Sequence, residues 1–327
     1  MAVKSVIEAV REAMREEMRR DPRVFVMGED VGAKGGVFLA TQGFVEEFGE
    51  ERVIDTPLAE ASIAGIALGA AMKGLRPIAE IQFSDFIWPA LNQLIGEGAR
   101  ARYGSNGALS TPMVVRLPYG GGIRGGLFHS QSVEAPFFHT PGLVVIAPAT
   151  PYDAKGLLKA AVRDDNLVVF LEHKKTYRLV RGEVPEGDYV LPIGLADVKR
   201  QGTRATVVSY GLTLHYCLEA ARLLSVEGVE VEVVDLRTLR PLDAETVLTS
   251  VRKTGRLLVV HEDNLTGGVG AEVAALAAEH AFDHLDAPIM RLAGPDVPAM
   301  PFASNLEAMF MPSTEVVAEA LRRLVAY

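Results

Sequence analysis

The chain contains a single cysteine, Cys217, so neither an intrachain disulfide nor a thiolate metal cluster is available to it. A small buried hydrophobe is the expected role for that residue. Basic residues do not gather either. No basic run is longer than a pair such as Arg19-Arg20, Lys174-Lys175 or Arg322-Arg323, within a formal net charge of −9. Nucleic-acid binding is therefore disfavoured, because it needs clustered cations to displace counterions. No stretch of about 18 apolar residues free of charge occurs, so no membrane span is expected. The histidines show no H-E-x-x-H pairing, which argues against a zinc site of that type. A G-x-S-x-G hydrolase elbow and a G-x-x-x-x-G-K-[ST] phosphate loop are both missing.

What is present is globular: 327 residues, 49% hydrophobic and 23% charged, enough for two sizeable cores. The N-terminal MAVKSVIEAVREAMREEMRR lacks an apolar core and is rich in acids, so neither a signal nor a transit peptide is expected. Val3, Val6, Ile7, Val10, Met14 and Met18 fall at helical spacing, and Asp21-Pro22 stops the run. A soluble cytoplasmic protein is the expectation.

Short β-branched runs then alternate with helical patterns. Val24–Gly28, Pro77–Phe83, Met113–Pro118, Leu143–Ala147 and Leu167–Glu172 read as buried strands, with helices near 58–73, 88–102 and 151–163. This alternation predicts a mostly parallel sheet covered on both faces. A second series follows: strands at Ala205–Tyr210, Val229–Leu236, Arg256–His261 and Pro288–Leu292, helices near 213–226, 243–253, 269–282 and 314–325. The fold class is α/β in two domains, 1–185 and 201–327, joined by a Pro-, Gly- and charge-rich linker at 186–200.

Three segments carry unusual residues where ligands of open α/β sheets usually sit, beyond strand ends: Gly28–Gly32, Gln82–Trp88 and Tyr119–Gln131. In IDTPLAEASIAGIALGAAMKG (54–74), Thr56 or Asp55 suits a helix cap, Pro57 the first helical position and Gly74 the end. Glu60 then falls in the first turn of an almost wholly apolar helix. Either the helix dipole favours it there, or burial raises its pKa and it is paired or used in proton transfer. Glu29-Asp30 follows a strand and reads as a turn or as part of a site. YGGGIRGGLFHSQ (119–131) is too rich in glycine for regular structure and suits a loop whose backbone approaches a ligand or a second chain. His129 ends that loop, as a structural group or as a site residue. His261-Glu262-Asp263-Asn264, leading into Thr266-Gly267-Gly268, reads as loop and helix start.

Taken in order, GEDVGAKGGVF, DTPLAEASIAG, GLRPIAEIQFSDFIWPALNQ, GLFHSQSVEA, ATPYDAKGLLKAAVRDDN, EHKKTYR and VVDLRTLRPLD resemble the β subunit of the E1 component of 2-oxo acid dehydrogenase complexes. The branched-chain (2-oxoisovalerate) members are the nearest match, and the resemblance spans the whole chain. It implies a thiamin pyrimidine-binding domain followed by a transketolase C-terminal-like domain. It also implies an enzyme that uses thiamin diphosphate and Mg²⁺ to decarboxylate a 2-oxo acid and acylate a lipoyl group on the E2 component. By resemblance Glu60 is the cofactor-activating glutamate that bonds N1′ of the aminopyrimidine, and Glu29, Leu58 and Phe86 line the cofactor. Phe86 replaces a Tyr of branched-chain relatives, so it lacks that hydroxyl. His129 matches a histidine of lipoamide acylation, and Gln82 a substrate-pocket position. Carbonyls of Ala161, Asp164 and Asn166 match a K⁺ site of some relatives.

The chain has no Gly-Asp-Gly, the segment with which thiamin enzymes commonly hold the Mg²⁺–diphosphate. It holds the pyrimidine half of a site, so the resemblance implies a cofactor shared with an α subunit that supplies the metal clamp, in an α₂β₂ heterotetramer. The alternatives are a pyruvate or acetoin dehydrogenase E1 β subunit, half of a split transketolase, or a non-catalytic subunit that docks E2. Joint retention of Glu29, Glu60 and His129 argues against the last.

Overall fold

The computed structural model describes residues 1–327, which divide into two compact units. The first comprises Met1–Tyr119 and Pro136–Ile193; the second, Gly120–Ala135 and Gly194–Tyr327. The glycine-rich segment thus belongs with the C-terminal residues although it interrupts the N-terminal ones. No helix is long and apolar enough to cross a membrane.

The first unit is built on parallel strands in the order Val144–Ile146, Val168–His173, Val114–Tyr119, Arg76–Glu80, Val24–Gly28, Val53–Asp55. Val24–Gly28 has its successor in sequence on one side and the strand after that on the other. This reversal opens a crevice at the carboxyl ends, the usual ligand position in such sheets. Asp55, Gly28 and Glu80 stand in register there. Gly28 is required at this edge: its φ is 155°, and a Cβ would lie 2.6 Å from the Glu80 carbonyl oxygen.

The apolar face of Val6–Arg20 (Val6, Val10, Ala13, Met14) packs with Ala154, Leu157, Leu158 and Ala161 of Pro151–Arg163 in the main core cluster. The helix starts later than the apolar spacing predicts. Val3 lies in a short strand, Ala2–Ser5, paired antiparallel with Arg181–Val184. Ser5 and Glu8 form the capping box that sets the true start.

The helix expected at 58–73 spans Glu60–Met72, with Ala59 at its N-cap and no side-chain cap. The expected capping acid is engaged elsewhere: Asp55 Oδ1 accepts the Gly32 N–H at 2.6 Å. Its other end closes as expected on Gly74, with Gly74 N–H to Ala71 O at 2.9 Å and Leu75 N–H to Ala70 O at 3.1 Å. The helix expected at 88–102 is three pieces: a 3₁₀ turn Trp88–Ala90, a π-helix Asn92–Gly98 and an α-helix Ala99–Gly104.

The second unit's sheet runs Met290–Gly294, Leu257–Asn264, Ala205–Ser209, Val231–Asp235, Asp197–Arg200. The last strand is antiparallel and lies in the stretch read as linker. Its helices Gly211–Val226, Ala244–Thr254, Val269–His280 and Thr314–Val325 match the periodicity. Asp243 caps the second, accepting from Thr246 N–H, and Ser313 caps the fourth, accepting from Val316 N–H. Cys217 is buried and free.

Candidate active site

At the carboxyl edge of the first unit's sheet the strand end Gly28 turns into Glu29, and the helix Glu60–Met72 begins at Glu60. The Glu29 side is almost closed to water, 8% exposed, whereas Glu60 is half-buried. Burial raises the Glu29 pKa, and the neighbouring charges of Glu60 and then Asp30 raise it further. A Glu29 carboxyl raised in this way suits an edge that receives a ligand with a nitrogen able to share a proton. Gln82 Nε2 donates to the Glu29 carbonyl at 3.3 Å and fixes the turn.

Aromatic rings flank this edge. Phe86 packs edge-on against Phe83 at 5.9 Å between centroids, Phe83 against Phe38 at 5.5 Å, and Phe38 against Tyr177 at 5.1 Å. Lys174 Nζ lies over the Phe83 ring at 5.6 Å. Leu58 is 78% exposed, an apolar side chain just before the helix with little of this chain against it. The structure thus brings Glu29, Glu60 and Gln82 to one edge, with an aromatic wall and an uncovered leucine. These features suit a flat, partly apolar ring that carries a nitrogen able to share a proton.

Beneath this edge, in the sheet interior, lies a buried ion cluster. Arg116 makes a bidentate pair with Glu172, both bonds 2.7 Å, and bonds Glu80 on its other side. Tyr177 donates to Glu172 at 2.6 Å. Burial raises the Glu80 pKa, with Arg116 opposing. This cluster gave no sequence signal, because its members come from three separate strands.

His129 lies in the second unit, half-buried, just after the 3₁₀ turn Gly126–Phe128. Gly120, Gly122 and Gly125 do fall at G-x-G-x-x-G spacing, yet the segment closes on itself, Gly120 N–H to Gln131 O at 3.0 Å, and opens no nucleotide-binding helix. The run His261–Asn264 is not a loop but the end of the buried strand Leu257–Asn264. Burial lowers the His261 pKa to about 4. Asp263 is pushed up to about 6 by burial, with Glu262 adding to the rise. Glu134, also buried, is raised well above the usual carboxylate range by burial and then by the charges of Asp263 and Glu262. These acids were missed because 128 residues separate Ala135 from Asp263, whose carboxylate accepts its N–H at 3.2 Å.

No three His, Cys, Asp or Glu side chains gather to hold a metal. His280 and His284, four apart, are no exception. At the turn holding Ala161, Asp164 and Asn166, Arg76 Nη1 donates to the carbonyls of Val162 at 3.0 Å and Asp164 at 2.9 Å. The Ala161 carbonyl accepts the Asp164 N–H at 3.3 Å, and Asn166 bonds Asp164 Oδ1. A guanidinium already engages this turn, and we assign no step to a monovalent cation. A surface hollow of about 420 Å³ lined by Glu16, Glu17, Lys159, Arg163 and Asp188 is no rival site, because its cations pair with its own acids.

Residues 3–180 match the transketolase pyrimidine-binding domain and residues 194–317 the transketolase C-terminal domain. Over 327 residues, all of both chains, the sequence is 59% identical to 2-oxoisovalerate dehydrogenase subunit beta of Bacillus subtilis. The chain belongs to the family of 2-oxo acid dehydrogenase E1 β subunits. This E1 β chain is also 46% identical, over the full length of both, to the pyruvate dehydrogenase E1 component subunit beta of the same organism. A solved structure described as a split gene transketolase, an inactive beta4 tetramer, superposes with a TM-score of 0.79 over 98% of each chain. At 24% identity, that likeness speaks for the fold alone.

Proposed function

We propose that this chain is the β subunit of a thiamin diphosphate-dependent, branched-chain 2-oxo acid dehydrogenase. The observation that carries the reading is Glu29 brought with Glu60 to one carboxyl edge, where burial and then the charge of Glu60 raise the Glu29 pKa. The preference for a branched-chain over a pyruvate substrate rests on 59% against 46% identity to the two relatives.

When bound, thiamin diphosphate supplies the electron sink that lets a 2-oxo acid lose CO₂. Glu60 holds a proton at N1′ of its aminopyrimidine, and Glu29 keeps the local charge low by retaining a proton of its own to higher pH than an exposed carboxylate. Phe86 and Leu58 contact the ring, and Gln82 shapes the substrate side. A covering partner is called for on physical grounds: an exposed Leu58 and a half-buried Glu60 leave this edge weakly shielded from water. That partner is the α subunit of an α₂β₂ heterotetramer, and it also supplies the Mg²⁺–diphosphate clamp. His129 acts when the acyl group passes to the lipoyl group of E2, donating a proton as the lipoyl disulfide opens to a thiol.

The reading is tested by reconstitution. Chain purified alone should neither decarboxylate 2-oxoisovalerate or pyruvate nor cleave acetoin. Addition of the α subunit, Mg²⁺ and thiamin diphosphate should restore turnover, fastest with 2-oxoisovalerate. Robust activity of the isolated chain would refute it, and a preference for pyruvate would move it to the pyruvate dehydrogenase type.

A further inference from the structure

The loop that carries His129 contains five glycines, at 120, 121, 122, 125 and 126, and its own side chains brace its second half, with Gly125 N–H to Ser130 Oγ at 3.1 Å and Gln131 Nε2 to the Leu127 carbonyl at 3.0 Å. Its outer side chains give it no anchor: Ile123, Leu127 and Phe128 are all exposed. Residues 121–124 are held by carboxylates that reach their backbone. Glu262 Oε1 accepts the Gly121 N–H at 2.5 Å and the Ser132 hydroxyl at 3.2 Å. Glu307 Oε1 accepts both the Gly122 N–H at 2.9 Å and the Arg124 N–H at 3.0 Å.

The Glu307 contact has the shape of an anion site. Gly122 and Arg124 sit at positive φ, 77° and 60°, and their N–H groups converge on one oxygen. Such a backbone nest elsewhere takes a free anion. Here the anion is tethered, because Glu307 projects from the helix Ser304–Phe310 and is buried. Arg124 is not a glycine, so its left-handed backbone carries strain that the two bonds to Glu307 offset. The same stretch backs the loop sterically: a Cβ at Gly121 would lie 2.6 Å from Met300 Cε and 3.1 Å from Met311 Sδ.

We propose that Glu307 is a positioning residue for acyl transfer: its carboxylate fills the nest of the 122 and 124 N–H groups and fixes the loop that presents His129. Glu307 touches no reacting atom; it acts through the backbone. The proposal rests on the assignment of His129 to acyl transfer.

The test uses the complex assembled with its α subunit, Mg²⁺ and thiamin diphosphate. Three quantities are compared: decarboxylation with an artificial electron acceptor, acyl transfer to a free lipoyl domain, and hydrogen exchange of the 121–124 amides. Glu307→Ala should lower kcat for acyl transfer about tenfold or more, leave decarboxylation within about twofold, and speed exchange at those amides. Glu307→Gln keeps an accepting Oε1 and should regain most of the rate. Glu307→Asp, one methylene short of the nest, should behave like the alanine variant, which keeps the test intact if that variant fails to assemble. The proposal is overturned by unchanged exchange, by equal loss of both half-reactions, or by Asp and Gln variants that act alike. His129→Ala is the separate control. Normal acyl transfer in that variant would remove the role assigned to His129, while amide exchange in the Glu307 variants would still report on the nest.

Discussion

In the first unit, Arg116 lies between Glu80 and Glu172, so two buried carboxylates share one buried cation. In the second unit, Glu134 and Asp263 are buried, and the charges that raise them come from other acids, Asp263 and Glu262 for the first and Glu262 for the second. Water is excluded from both places, but the outcome differs. Around Arg116 the attraction of opposite charges opposes the burial penalty. Around Glu134 the penalty is met by retained protons and by backbone N–H groups, such as Ala135 to Asp263 and Gly121 to Glu262. Glu29 and Glu60 form a third arrangement, two acids at a partly open edge, the charge of Glu60 adding to the rise of Glu29. A buried acid with a cation serves the fold; one without a cation either holds a proton or awaits a ligand.

Removing the cation tests this contrast most severely. Arg116→Leu leaves Glu80 and Glu172 buried without compensation and should cost about 3–5 kcal/mol in denaturant unfolding. A loss under about 1 kcal/mol would mean that the two acids simply take up protons, as in the second unit, and the contrast would vanish. Next in size, Glu60→Gln in the assembled enzyme should cut turnover by about two orders of magnitude or more, the scale of general acid–base contributions. Near-normal turnover would reduce Glu60 to a charge at a helix N-terminus.

The smallest effect concerns pH. Asp263 has a folded pKa of about 6 against an unfolded value near 4, so between those pH values the folded state holds a proton that the unfolded chain has released. Its contribution is therefore favourable at low pH and is lost as pH rises from about 4 through about 6. Asp263→Asn should remove on the order of 2 kcal/mol of that loss, measured as the difference between wild-type and variant unfolding curves at pH 4 and pH 7. Parallel pH profiles for the two proteins would show that the cluster carries no extra proton.

Local signals were legible where the chain answers to its neighbours in sequence. Asp243 and Ser313 cap the helices they precede, Gly74 ends its helix, and the alternation of strands and helices gives the parallel sheets. The readings that failed did so through distant partners. Asp55 was free to cap a helix until the fold gave it the Gly32 N–H, 23 residues away. Val3 fits the helical stripe, but a strand at Arg181–Val184 draws it into a sheet. His261–Asn264 has the composition of a loop, yet a parallel sheet buries it as strand.

The α/β class, the family and the residue types just beyond the strand ends are legible in the order of residues alone, because propensity, capping and hydrophobic period act over a few residues. That the charge of Glu60 reaches Glu29, that Arg116 bridges Glu80 and Glu172, and that Glu307 bonds Gly122 in a loop 185 residues away follows from folding in three dimensions. Desolvation and charge coupling depend on distance in space, and distance in space is set by how the sheets stack their strands.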